Sequence, residues 1–190
     1  MSLIVEALVF DLGGVIVAHD DAVMYRKLAS RCEPVPARGA ISAMFDEPQW
    51  GNGERPIRDL HTRMQSDLGY GAGWETFMDD FCCHLVLDTA MLAFVQALAA
   101  RHRVMILSNT NAVHWDSQVR ASHGDLARIE AYLSHEIGHS KPNLKAFAIV
   151  AEKAGIDPAR SIFFDDLQAN VDAARLAGFQ SEVFVSESAL

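Results

Sequence analysis

The sequence predicts an α/β fold, a doubly wound parallel sheet, and three observations carry that prediction. Short apolar runs at Ile4 to Phe10, Val104 to Leu107 and Ser161 to Phe164 have the length and composition of buried strands. Between them lie stretches of helical period, such as Met91, Phe94, Val95 and Leu98, and again Leu144, Phe147, Ala148 and Ala151. Glycines mark the helix ends: Gly155 follows the helix that opens near Asn143, and Gly178 follows the one through Val171 and Leu176. Strands alternating with helices of this length form βαβ units and hence a parallel sheet.

The elements follow in order. The first run leads directly into Asp11-Leu12-Gly13-Gly14-Val15, a carboxylate in a glycine turn at a strand end. The stretch from about Ala18 to Val86 reads differently. It has helical patches at Met24 to Arg31, Arg58 to Leu68 and Trp74 to Leu85, broken by Pro34, Pro36, Pro48, Pro56 and several glycines. It offers no convincing β-run, which predicts a small helical insertion after the first strand. The expected division is a core of residues 1–17 and 86–190 and a helical cap of residues 18–85. Ala131 to Leu133 and Glu182 to Val185 are weaker strand candidates.

Bulk properties narrow the function. A chain of 190 residues suits one domain with a smaller insertion. Its formal net charge of −9 argues against a nucleic-acid or anionic-membrane surface, both of which need a basic patch. No apolar stretch approaches the length of a membrane span. The run from Leu3 to Phe10 contains Glu6 and lacks a basic flank, so it makes a poor signal peptide. A cytoplasmic protein, monomer or homodimer, is the expectation. Cys32, Cys82 and Cys83 have neither disulfide nor zinc spacing and read as buried or half-buried free thiols.

The chemistry should collect at the carboxyl ends of the strands, where open parallel sheets bind ligands. There the sequence places Asp11, then Ser108-Asn109-Thr110-Asn111, then Ser140-Lys141-Pro142, then Asp165-Asp166. Carboxylates gathered around one point repel unless a cation lies between them, and hard oxygen donors select Mg²⁺. Asp11 is suited to attack phosphorus, Ser108 and the N–H groups after it to bind phosphoryl oxygens, and Lys141 to stabilise transition-state charge. Asp165-Asp166 also suits a helix N-terminus, but its position after an apolar strand favours the site.

These motifs, Phe-Asp-Leu-Gly-Gly-Val, Leu-Ser-Asn-Thr-Asn, Ser-Lys-Pro and Phe-Phe-Asp-Asp with Asn170 four residues on, resemble the haloacid dehalogenase-like hydrolases. The resemblance spans nearly the whole chain. It is nearest to the subgroup with a helical cap after the first motif, which includes sugar-phosphate phosphatases of the alpha-glucose-1-phosphate type. It implies a Rossmann-like core and a Mg²⁺-dependent phosphatase that forms an aspartyl-phosphate on Asp11. Asp11 would also be a metal ligand, with Asp166 and the backbone carbonyl of Gly13. Asp165 would sit beside the metal or touch it through water. Ser108 and Asn109 would bind phosphate, and Lys141 would serve both substrate and catalysis.

One position departs from the family. Phosphatases of this kind carry a second aspartate where Gly13 stands, and that residue protonates the leaving group. General acid–base help is worth about 10²–10⁴-fold. The expectation is a weak phosphatase of a small phosphorylated metabolite such as a sugar phosphate, or one whose acid comes from substrate or cap. His19, Asp20 and Asp21 are the cap-side candidates, each read more plainly as part of a polar linker. The alternatives are a 2-haloacid dehalogenase-like hydrolase and a catalytically weak protein that binds a phosphorylated ligand.

Other features read as structural. His135-Glu136-Ile137-Gly138-His139 matches a zinc-protease pattern, but a glycine lies inside it and Pro142 follows closely. His61, His84, His102, His114 and His123 have no ligand spacing and are expected at the surface or in caps. Asp79-Asp80 reads as a solvated helix face. Trp74 and Trp115 are expected to pack, and Trp50 to pack or to line a pocket.

Overall fold

A computed structural model of the chain describes residues 5–185. Their strands are β1 (Ala7–Phe10), β2 (Val17–His19), β3 (Leu85–Leu87), β4 (Arg103–Ser108), β5 (Glu130–Leu133), β6 (Ser161–Asp165) and β7 (Gln180–Val183). Five of them form a parallel sheet in the order β5-β4-β1-β6-β7. The first strand is therefore central. The chain builds outward on one side through β4 and β5, then crosses to the other for β6 and β7. That reversal opens a crevice at the carboxyl ends of β1, β4 and β6.

Side-chain alternation along the strands decides the layering. Ala7 and Val9 of β1, Met105 and Leu107 of β4 and Phe163 of β6 share one apolar cluster. Phe147, Val150 and Ala154 from the helix Leu144–Ala154 and Ala173 and Ala174 from the helix Gln168–Leu176 cover it. Phe10, Val104 and Ile106 face the other way, under Leu92 and Val95 of the helix Thr89–Ala99 and the turn residues Leu12, Val15 and Ile16. The fold is thus the α/β type that the sequence predicts. Helix ends follow the sequence signals: Asn143 caps the helix that begins at Leu144, and Gly155 ends it in the left-handed region.

The segment after β2 holds its own apolar cluster. Met24, Leu28, Ile41, Met44, Trp50, Ile57, Leu60, Met64, Phe77 and Phe81 pack together with Tyr70 of the turn after Leu68; the others are drawn from the helices Asp21–Ala29, Ala40–Phe45, Pro48–Gly51, Ile57–Leu68 and Trp74–Cys82. Two of these helices, Ala40–Phe45 and Pro48–Gly51, are too short to show a period in sequence.

Several expectations need correction. The segment is not free of β-structure at its ends. β2 and β3 pair antiparallel, Val17 opposite Leu87 and His19 opposite Leu85, forming a two-stranded neck. Three residues per strand leave too little alternation to read. The opening strand starts at Ala7, with the Glu6 N–H bonded to Arg160 O at 2.7 Å just ahead of it; Ile4 lies outside the described residues. The last strand runs Gln180–Val183, not from Glu182.

Asp80 is buried, not solvated. It accepts from Arg31 Nε at 2.6 Å and Tyr70 OH at 3.0 Å, tying the helix Trp74–Cys82 to the turns that hold Arg31 and Tyr70. Its burial is tolerable because both bonds are made. His61 and His84 are also buried, His61 donating to Ala72 O at 3.0 Å. Cys83 is exposed, whereas Cys32 is buried. Among the described residues no helix is long and apolar enough to cross a membrane.

Candidate active site

The crevice at the strand ends gathers the predicted residues. Asp11 follows β1, Asp165 ends β6, and Lys141 reaches between them from the loop before the helix at Leu144. Lys141 Nζ lies 2.8 Å from Asp11 Oδ1 and 2.6 Å from Asp165 Oδ2, with the lysine side chain wholly buried. The two acids do not share it equally. Asp165 also accepts from Leu167 N–H at 2.9 Å and from Asn170 Nδ2 at 3.0 Å. Burial pushes the Asp165 carboxyl up, but the Lys141 charge and these bonds more than offset that and hold it below its usual value.

Asp11 is left as the excess anion. Burial pushes its carboxyl up to about 7, against the opposing pull of Lys141, and the nearby Asp165 charge adds to the rise. Asp166 is likewise raised, by burial and then by Asp165. Carboxylate oxygens of Asp11, Asp165 and Asp166 lie within 4.8 Å of one another. Three hard oxygen donors with one ammonium among them are a donor set that fits a small divalent cation.

Gly14 explains part of the turn. Its φ is +71°, and a Cβ there would overlap the Asp166 carboxylate. Glycine at this position therefore lets Asp166 approach the backbone beside Asp11.

Ser108 ends β4 and is buried on the floor of a cavity of about 340 Å³. Asn109 is committed elsewhere: its Nδ2 donates to Lys141 O at 2.8 Å, and its Oδ1 accepts from Lys141 N–H at 2.7 Å. The amide therefore clips the end of β4 to the lysine loop. Ser134, which sequence reasoning did not single out, and Ser140 of the Ser-Lys-Pro motif join that loop region to the helical segment. Ser134 Oγ lies 2.6 Å from Gly51 O and accepts from Thr110 N–H at 2.9 Å; Ser140 Oγ donates to Asn52 Oδ1 at 2.7 Å.

The cavity runs from Gly13, Ser108 and Asn109 up to Tyr25, Phe45, Trp50, Phe81, His84, His114 and Gln118. Its walls thus come from both the sheet side and the helical segment. His114 stacks on Phe81 with centroids 4.0 Å apart, and its Nε2 donates to Phe81 O at 3.2 Å. Burial drives its pKa down to about 3, so the ring is neutral. Among the described residues, His84 Nδ1 and Gln118 Oε1 are buried side-chain atoms without a hydrogen-bond partner, and both residues line this cavity. Spacing in the sequence gave no hint of them, because they meet only through the packing of the helix Ala112–Ala121 against β3.

The three acid candidates separate. Asp20 caps the helix Asp21–Ala29, accepting from Ala22 N–H at 3.0 Å. Asp21 Oδ1 lies 3.4 Å from His19 Nδ1 and 3.5 Å from His84 Nε2. His19 leans toward Gly13: a Cβ there would meet its Cδ2 at 3.5 Å and Nε2 at 3.6 Å. The Asp21 hydrogen bond raises the His19 pKa above its ordinary value. The zinc-like pattern is dispersed, since Gly138, at φ +74°, ends the helix Ser134–Ile137 before His139, and His135 Nδ1 donates to Thr110 O at 3.1 Å.

Comparison with known proteins follows the same lines. A family model described as haloacid dehalogenase-like hydrolase matches residues 5–178. A D-ribitol-5-phosphate phosphatase of Bacteroides thetaiotaomicron is 26% identical over 93% of this chain and 90% of its own length. A GMP/IMP nucleotidase of Escherichia coli is 34% identical over 50% of this chain and 43% of its own. Among solved structures, a Bacteroides thetaiotaomicron enzyme complexed with magnesium and inorganic phosphate superposes with a TM-score of 0.82 at 23% identity, covering 94% and 93% of the two chains. A hydrolase from Porphyromonas gingivalis superposes with a TM-score of 0.82 at 22% identity, covering 95% and 91%.

Proposed function

This chain belongs to the haloacid dehalogenase-like hydrolases, and we propose that within them it is a Mg²⁺-dependent phosphatase of a small hydroxyl-bearing phosphate ester, such as a sugar or polyol phosphate. The observation that carries the reading is the meeting of Asp11, Lys141, Asp165 and Asp166 at the strand ends, with Leu12 and Gly13, which directly follow Asp11, lining the same cavity as Ser108. The similar ribitol-phosphate phosphatase supports the substrate class.

Asp11 is the nucleophile. Its free carboxylate oxygen attacks phosphorus, the ester bond to the leaving oxygen breaks, and water later cleaves the aspartyl-phosphate. Lys141 orients Asp11 and supplies fixed positive charge where charge spreads in the transition state. Asp165 serves mainly to hold Lys141, since its oxygens are already engaged. Ser108 binds a phosphoryl oxygen, and Asn109 sets the lysine loop at the right height. Asp11, Asp166 and the Gly13 carbonyl would hold the Mg²⁺. When bound, the ion neutralises phosphoryl oxygens so that an anionic nucleophile can approach an anionic ester.

Residues 18–85 act as the cap. They supply Trp50, Phe45 and His84 to the cavity, so selectivity for the organic part of the ester resides largely there. His84 and Gln118, polar residues on the same wall, offer the organic part of the ester hydrogen-bonding partners. The test is a Mg²⁺-supplemented screen of sugar, polyol and nucleoside monophosphates, run beside Asp11→Asn. Turnover of at least one ester, abolished by Asp11→Asn, is expected. Turnover that survives the substitution removes Asp11 from its role.

A further inference from the structure

Resting on that phosphatase reading, the remaining question is which group protonates the leaving oxygen, because Gly13 has no side chain to do so. We propose that His19, oriented by Asp21, is the general acid and base of this site. The observation is positional. The space that a residue-13 side chain would enter is bordered by the His19 ring, at 3.5 Å from Cδ2 and 3.6 Å from Nε2. The other ring nitrogen faces Asp21 Oδ1 at 3.4 Å. Asp21 thus fixes Nδ1 as the nitrogen facing the carboxylate and leaves Nε2 for chemistry. Asp20 is spent on the helix cap, and His84 and His114 line the cavity without bordering the residue-13 position.

The neck explains how a residue from outside the sheet reaches the turn. His19 ends β2, and β2 returns over the turn through the Gly14 N–H bond to Val17 O at 2.8 Å. His19 opposite Leu85 closes that ribbon. The side chain is 42% exposed and opens on the same cavity, so a substrate can reach it.

The proton balance closes over one cycle. Asp11 Oδ attacks phosphorus, the P–O bond to the alcohol breaks, and its electron pair takes the proton from His19 Nε2, releasing the neutral alcohol. Water then attacks the aspartyl-phosphate and gives a proton back to Nε2. The Asp11–phosphorus bond breaks, and inorganic phosphate leaves with His19 protonated again. Gly13→Asp would place a carboxyl in the same space, and its Cβ finds only ordinary contacts there.

The experiment compares first-turnover rates of an alkyl phosphate and of p-nitrophenyl phosphate, whose phenolate leaves without needing a proton. In His19→Gln the alkyl rate should fall by about 10²-fold or more, the scale of general acid–base catalysis. First release of p-nitrophenolate should fall far less, while later turnovers slow and protein-bound phosphate accumulates, because water activation is also lost. Asp21→Asn should show the same split in milder form. Adding Gly13→Asp to His19→Gln should restore the alkyl rate. Unfolding midpoints check that each variant is folded, and His19→Asn replaces His19→Gln if that variant is not. An equal fall for both esters, no fall for either, or a wild type that turns over only the aryl ester overturns the role of His19. Asp11→Asn keeps the two ideas apart: it must abolish the p-nitrophenolate burst if the phosphatase reading holds, whatever His19 does.

Discussion

Replacing Asp11 by Asn should make the metal-free protein more stable, and increasingly so as pH rises. Two carboxylates contact one ammonium; Asp11 adds only Leu12 N–H at 2.6 Å, whereas Asp165 adds Leu167 N–H and Asn170 Nδ2, so Asp11 is the anion without full compensation. Its pKa is raised from 3.8 to about 7, chiefly by burial. The sign follows from proton counting. Between those values the folded protein holds a proton that the unfolded chain has released, so the native state binds more protons and stability falls as pH rises. The full gap corresponds to up to roughly 4 kcal/mol, of which about 2–3 kcal/mol develops between pH 5 and 8. Asn carries no such penalty. His84 and His114, which feel no charge from Asp11, act in both proteins and cancel in the difference. Urea unfolding of both proteins in a chelator across pH 5–8 measures it. The stability gap should widen in favour of Asp11→Asn by about 2–3 kcal/mol. Saturating Mg²⁺ should then close it, raising the wild type by about 2.7 kcal/mol at a hundredfold excess over Kd. A gap that stays flat, or that widens in favour of the wild type, refutes the argument that Asp11 is the uncompensated charge.

Three further outcomes are expected. Phe77, fully buried among His61, Tyr70, Trp74 and Phe81, centres the cap cluster, and Phe77→Ala should cost about 3–5 kcal/mol in chemical denaturation. Gly14→Ala forces a Cβ into the Asp166 carboxylate at positive φ, so calorimetry should show Mg²⁺ affinity reduced by about 10-fold or more, with the secondary structure intact by circular dichroism. Gln118→Leu should raise KM about 10-fold for the hydroxyl-rich ester that the wild type turns over best, with kcat little changed. p-Nitrophenyl phosphate, lacking those hydroxyls, should show no such rise.

The sheet was legible because its signals are local. A run such as Val104 to Leu107 is apolar on both faces, which only a strand covered by two helix layers tolerates, and β4 is that strand. The order of chemical groups along the chain was legible for the same reason, since each stands directly after a strand or before a helix. The neck strands were not legible. Val17–His19 and Leu85–Leu87 are too short for a period, and their pairing spans the whole insertion. Asp80 misled because a buried ion pair and a solvated acid look alike until Arg31 and Tyr70 are brought to it.

The contrast between Asp11 and its neighbours marks where local reading stops. That an acid follows β1 can be read from five residues; how the charge is shared among Asp11, Asp165 and Lys141 cannot. The sharing is set by which acid also collects Leu167 N–H and Asn170, and those donors are brought to Asp165 by the turn and helix that follow β6. The same holds at Gly13. A missing side chain is visible in sequence, but whether its space is empty or bordered by an imidazole depends on β2 folding back over the turn. Polar residues near a hinge then stop being equivalent. Asp20 is drawn to a helix N-terminus, Asp21 to two histidines, and His19 to the glycine, because the chain leaves β2 at His19 and enters a helix at Asp21. The chemistry that sequence motifs name is thus completed by side chains whose position depends on one short ribbon at the base of the cap.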